Sequence, residues 1–277
     1  MLSPNHPVSE IAKGLLDVPF NDFEMFHNPE GTGTVERGGS CIFLTNEFLR
    51  RLPDDQKAMI VAAVSQVHYA TVLEIEGQEY FYDPFLRMEQ PVPLPQAKGE
   101  LVEFPGNPQD IVKKIGWRLV RTSKRGKQKL ETHVLRKING SNTDALAHIY
   151  RAPLRETTPM KESDLTYERK GMMDIEVFED INGVLRSFSF RYRFAYDHVP
   201  MSAYSSGGNA GHSDYIGATP GMNYGKVDFV VNLAPILGRL KMGYKEFMEY
   251  VEHAAETRRR LREIRFTKDR LTPPEWL

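Results

Sequence analysis

Apolar positions in the first fifty residues recur at helical spacing in two places. From Val8 to Leu16, Ile11, Leu15 and Leu16 would face a core, and the pattern ends near Val18-Pro19-Phe20. From Cys41 to Leu52, Phe43, Leu44, Phe48, Leu49 and Leu52 fall on one side of a helix, which Pro53-Asp54-Asp55 ends. Between them runs a loop rich in Asn, Pro, Gly and Thr, from Asn21 to Thr34. The paired glycines Gly38-Gly39 then give a sharp turn, which leaves Cys41 at the first turn of the second helix.

Beyond Pro53 the period shortens. Ala58 to Val67 is strongly apolar, and so short a run suits a strand or a short helix equally. His68 to Glu76 carries the β-prone Tyr69, Thr71, Val72 and Ile75, Gly77-Gln78 turns the chain, and Glu79 to Asp83 is a second strand closed by Pro84. The pattern is a hairpin with His68 at the start of one strand and Asp83 at the end of the next. Pairing about a centre between positions 75 and 76 would set these two residues opposite each other, whereas Gly77-Gln78 suggests a centre about two residues further on, so the register stays open.

The middle of the chain reads as β. Gly116 to Thr122 and Lys129 to Ile138 flank a basic turn, and Met173 to Ile181 and Val184 to Tyr196 flank Asn182-Gly183, a strong hairpin signal. In the last of these, Phe188, Phe190, Tyr192 and Phe194 alternate with Ser187, Ser189, Arg191 and Arg193, one apolar face against one polar face. Ser205 to Gly225 is a Gly-rich loop. Tyr244 to Ile264 is an amphipathic helix with Tyr244, Phe247, Met248, Val251, Ala255, Leu261 and Ile264 in its apolar stripe.

Composition narrows the class. With 277 residues, 40% hydrophobic, 26% charged and a formal net charge of -1, the chain has an ordinary globular profile. Charge balance gives no argument for a nucleic-acid partner, and no apolar segment is long enough to span a bilayer. The N-terminus lacks the order of a secretory signal, so a cytoplasmic protein with no membrane partner is expected. A single cysteine excludes an intrachain disulfide and a multi-cysteine zinc site, and no metal is expected.

A thiol at a helix N-terminus, a histidine and a carboxylate are the parts of a Cys-His-Asp triad. The helix end favours a thiolate, His68 would take its proton, and Asp83 would fix the imidazole tautomer and stabilise its charged form. Cys41, His68 and Asp83 are therefore the candidate catalytic residues. His198 and His212 are rival bases. The loop Gly207 to His212 would line a pocket or lie plainly on the surface. Lys124, Arg125, Lys127 and Lys129 form a solvated turn or contact a coenzyme phosphate, and Arg258-Arg259-Arg260 reads as the solvated face of the last helix or as a contact for an acidic partner.

Arg37-Gly38-Gly39-Ser40-Cys41 resembles the Arg-Gly-Gly-x-Cys motif of arylamine N-acetyltransferases, and Val18-Pro19-Phe20-Asn21-Asp22-Phe23 resembles the Pro-Phe-x-Asn-aliphatic segment that precedes it. The Cys-His-Asp order is shared with the wider transglutaminase-like and papain-like superfamily. The likeness covers roughly residues 15 to 95. The interval from Cys41 to His68 is shorter than in that family, the Asn after the cysteine stands at Asn46, one position late, and Asp83-Pro84-Phe85-Leu86 looks more like a transglutaminase core.

The resemblance implies an α+β fold: a papain-like or transglutaminase-like N-terminal helical core, then an antiparallel β-barrel or sheet, then a C-terminal helix. The divisions would be 1–95 with the triad, 96–200 rich in β, and 201–277 with the Gly-rich loop and a helical lid. It also implies ping-pong acyl transfer, with no tightly bound cofactor. Acetyl-CoA or another acyl-CoA would be cosubstrate, and Cys41 would pass the acyl group to a small-molecule amine. Phe20, Phe43 and Phe85, within or beside these segments, are the candidate substrate-binding residues. A transglutaminase-like amide synthase or an amide or peptide hydrolase using the same triad is the alternative, and a non-enzymatic binding relic of the fold is a third.

Overall fold

The computed structural model describes residues 2–27, 33–64, 68–105, 116–138, 141–157, 172–182, 184–193, 201–206, 216–218 and 226–271. Three antiparallel sheets dominate it. The first holds β2 (Ala58–Ala62), β3 (Tyr69–Ile75), β4 (Gln78–Tyr82) and β5 (Val92–Pro93) in chain order. The second, also in chain order, holds β6 (Leu101–Pro105), β7 (Gly116–Lys124), β8 (Lys127–Ile138) and β9 (Ser141–Arg151). The third sets β1 (Phe20–Asn21) beside β10 (Met172–Ile181), followed by β11 (Val184–Arg193), β12 (Met201–Ser206) and β13 (Ile216–Ala218).

The helices are α1 (Pro7–Gly14), α2 (Glu24–His27), α3 (Cys41–Arg51), α4 (Lys226–Leu240) and α5 (Tyr244–Leu271). This overturns the expected architecture of a helical N-terminal core and a barrel. The helices before residue 52 are short, and the longest two come last. The apolar run at 58–62 is a strand, so the N-terminal part is built around a sheet. Nor does any described sheet close on itself: each has four or five strands and two open edges, fewer than the roughly eight that fill a closed barrel. No described helix is long and apolar enough to cross a membrane.

α3 joins two apolar cores. Phe43, Leu44 and Phe48 pack with residues of α1 and of the first two sheets. Cys41 and Ile42 pack instead with Phe23, Tyr69 and residues of the third sheet, α4 and α5. The helix is consequently buried on nearly all sides, with Asn46 and Arg50 among its few exposed positions. Glu47, buried within it, is held by Arg50 and Arg51 at 2.8 Å each.

Three smaller readings are corrected. Ser187 and Ser189 are buried, because β11 is central in its sheet and both faces are covered there. Arg191 meets Asp174 directly across the β10–β11 pair, with Nε 2.6 Å from Oδ1. On α5, Arg258 is buried while Arg259 and Arg260 are exposed, and Tyr244 at the first turn is half exposed instead of joining the stripe. Lys124, Arg125 and Lys127 do lie exposed at the β7–β8 turn.

Candidate active site

The position of Cys41 is fixed by backbone. Gly39 donates to the Pro19 carbonyl and accepts from the Asn21 N–H, so β1 clamps the glycine turn. Gly38 has φ +75°, and a Cβ there would lie 1.9 Å from the Pro19 carbonyl oxygen; a Cβ on Gly39 would lie 2.5 Å from that of Phe43. Only glycine fits either place. Ser40 then caps α3, its Oγ accepting from the Ile42 N–H at 3.3 Å, and Cys41 follows as the first helical residue.

The hairpin that carries the other two residues turns at Glu76-Gly77, both with positive φ, and pairs Ile75 with Gln78 and Thr71 with Tyr82. This register lies between the two read from the sequence, so His68 and Asp83 are offset diagonally and do not stand opposite each other. Both sit just outside their strands. A diagonal pair is still within reach of long side chains, and His68 Nε2 lies 2.7 Å from Asp83 Oδ2.

Asp83 is itself locked. It caps the short 3-10 turn Pro84–Leu86, its Oδ1 accepting from the Phe85 N–H at 3.0 Å, which leaves Oδ2 for His68. Tyr150 of β9 also donates to Oδ2, at 3.5 Å. Arg87, buried just beyond, donates to the carbonyls of Leu16 and Val18 at 2.9 Å and lies over the Phe178 ring, tying this turn to the segment before β1.

Cys41 and His68 are hydrogen-bonded through their side chains. With Nε2 turned to Asp83, the remaining ring nitrogen serves the thiol. Cys41, His68 and Asp83 are all buried, at 5%, 4% and 0% exposure. Burial opposes a charge on His68, but the Asp83 charge and hydrogen bond, together with Cys41, override it and raise the imidazolium pKa to about 10.

A second histidine belongs to this site, one the sequence reading passed over. The His148 ring of β9 lies parallel to that of His68, 3.9 Å away at 13°. Its pKa is lowered to about 4, first by burial and then by the neighbouring His68 charge. His148 and Tyr150 share a face of β9 as alternating residues, and continuing the run of strands beyond Ile138 through His148-Ile149-Tyr150 would have found them.

Of the three aromatic candidates, Phe85 is 39% exposed and makes a T-shaped contact with His68, ring centroids 5.3 Å apart. Phe20 backs it at 5.3 Å, and Phe43 lies in the same core as Phe20, under the Gly39 turn. His198, His212 and the loop 207–212 lie outside the described residues.

His68, Asp83 and His148 each offer one ligand atom, all within 4.8 Å of one another, close enough to gather around a cation. The nitrogen that faces Asp83 is already committed to it at 2.7 Å, and the other serves Cys41, so a metal would have to break the pair apart. A thiol, an imidazole and a carboxylate linked in this order can act as nucleophile, base and orienting group.

No family model, no curated protein and no solved structure matches this chain.

Proposed function

We propose that the chain is a cysteine-dependent acyltransferase of the kind the Arg37-Gly38-Gly39-Ser40-Cys41 segment resembles, similar to the arylamine N-acetyltransferases. The observation that carries the proposal is the bridge His68 makes between Cys41 and Asp83 at the first turn of α3. The thiolate of Cys41 attacks the carbonyl of an acyl thioester such as acetyl-CoA. The carbon–sulfur bond to the donor breaks, and the departing thiolate takes a proton from the His68 imidazolium. An amine then attacks the acyl-cysteine, neutral His68 accepts its proton, and Cys41 leaves as thiolate, which restores the starting pair.

Asp83 holds the imidazole in place and stabilises its charged form in both halves. Phe85 offers an exposed apolar surface for the substrate beside His68. A cytoplasmic setting suits a lone thiol that must remain reduced.

The test is to supply acetyl-CoA with a panel of small aromatic amines and hydrazines, following free CoA and acetylated product together. Equal release of both supports the transferase. CoA release with acetate in place of product would mark a hydrolase using the same residues. Normal turnover by His68→Ala would remove the triad from the account.

A further inference from the structure

His148 is not needed by the triad, yet the fold takes trouble to aim it. Leu130 and Thr132 of β8 pair with Tyr150 and His148, but His133 pairs with Leu146, so Ala147 is an extra residue in β9. Such a bulge re-aims the side chains beside it. The Thr132 hydroxyl accepts from the His148 N–H at 3.1 Å and fixes the backbone there.

Neither ring nitrogen of His148 has a hydrogen-bond partner among the described residues, and the side chain is only partly buried. A partly buried imidazole with open nitrogens thus lies flat on the His68 ring, with the Phe85 ring 6.1 Å away. Close to neutral pH it is uncharged, so one of its nitrogens is a hydrogen-bond acceptor.

On the acyltransferase reading, we infer that His148 is the acceptor-binding residue, taking one N–H of the incoming amine while His68 takes the other. The nucleophile must approach the acyl carbon on Cys41 with an N–H directed at the free nitrogen of His68. The stacked ring, 3.9 Å from that of His68, then takes a second hydrogen on the same nitrogen atom. The acceptor class follows: uncharged primary amines or hydrazines, with two N–H bonds on the attacking nitrogen. Secondary amines and alcohols, with one hydrogen on the attacking atom, satisfy one imidazole only.

The inference is tested on the two half-reactions separately. Acetylation uses p-nitrophenyl acetate: the Cys41 thiolate attacks the ester carbonyl, p-nitrophenolate leaves, and the adduct is followed by intact mass. Its decay is then measured with aniline and with N-methylaniline. The wild type should favour aniline by about tenfold, roughly one hydrogen bond in a water-poor site. His148→Phe keeps the stacked ring without an acceptor; it should acetylate within about threefold of wild type and lose the preference. His148→Gln restores an acceptor and should recover much of it.

An unchanged preference in His148→Phe, with normal acetylation, would overturn the inference and leave the acyl-enzyme intact. Loss of acetylation in both variants would also overturn it, because the ring would then act on His68. Failure of wild type to form any adduct would instead bring down the acyl-enzyme reading itself.

Discussion

The imidazoles of His68 and His148 lie parallel at 3.9 Å and titrate on opposite sides of neutrality. Asp83 and Cys41 hold the proton on the first, while burial and the charge of the first keep it off the second. Nitrogen-15 spectra of histidine-labelled protein should show one imidazolium that persists to about pH 10 and one neutral ring that persists down to about pH 4. Two rings titrating near 6.5 would contradict the arrangement.

The same shifts set a stability profile. His68, raised from its ordinary value of 6.5, contributes stability that is complete below 6.5 and is lost as pH rises through about 10. His148 is lowered, so its contribution is complete above 6.5 and is lost as pH falls through about 4. Urea titrations across pH should show His68→Gln flattening the alkaline limb of the wild-type profile, and His148→Phe flattening the acid limb.

The glycine turn before Cys41 admits no side chain. Gly38→Ala sets a Cβ 1.9 Å from a carbonyl oxygen at positive φ. It should cost about 2–4 kcal/mol in urea unfolding. It should also slow Cys41 alkylation by iodoacetamide, since the turn positions the first residue of α3.

Arg87 supplies the partners of two buried carbonyls, those of Leu16 and Val18. Arg87→Met keeps much of the volume and removes both hydrogen bonds, an expected loss of about 2–4 kcal/mol by chemical denaturation. Because Arg87 anchors the turn carrying Asp83, acetylation of Cys41 should slow as well.

Chelation should be without effect. The donor atoms of His68 and Asp83 are committed to each other and to Cys41, so excess EDTA should leave the acetylation rate within about twofold. Loss of activity that zinc restores would make His68, Asp83 and His148 a metal centre instead.

Local signals were legible in the sequence where backbone chemistry is strict. The Gly38-Gly39 turn, the helix starting at Cys41 and the hairpin carrying His68 and Asp83 all follow from glycine, proline and β-branched residues. Its exact register was not, because Glu76 adopts positive φ without being glycine. Nor was the architecture: the run at 58–62 has no period that separates strand from helix, and how strands group into sheets depends on contacts far apart in the chain, such as Phe20 with Glu176. His148 escaped notice because what brings β9 to the hairpin of His68 is a pairing far apart in the chain, that of Ala63 with Tyr150.

An acyl group carried by Cys41 is the most direct consequence of the proposed triad. Protein incubated with acetyl-CoA should gain an acetyl adduct by intact mass, mapped to Cys41, removed by added aniline and absent as a thioester from Cys41→Ser. An adduct at another residue, or none with acetyl-CoA, longer acyl-CoAs or p-nitrophenyl acetate, would contradict it.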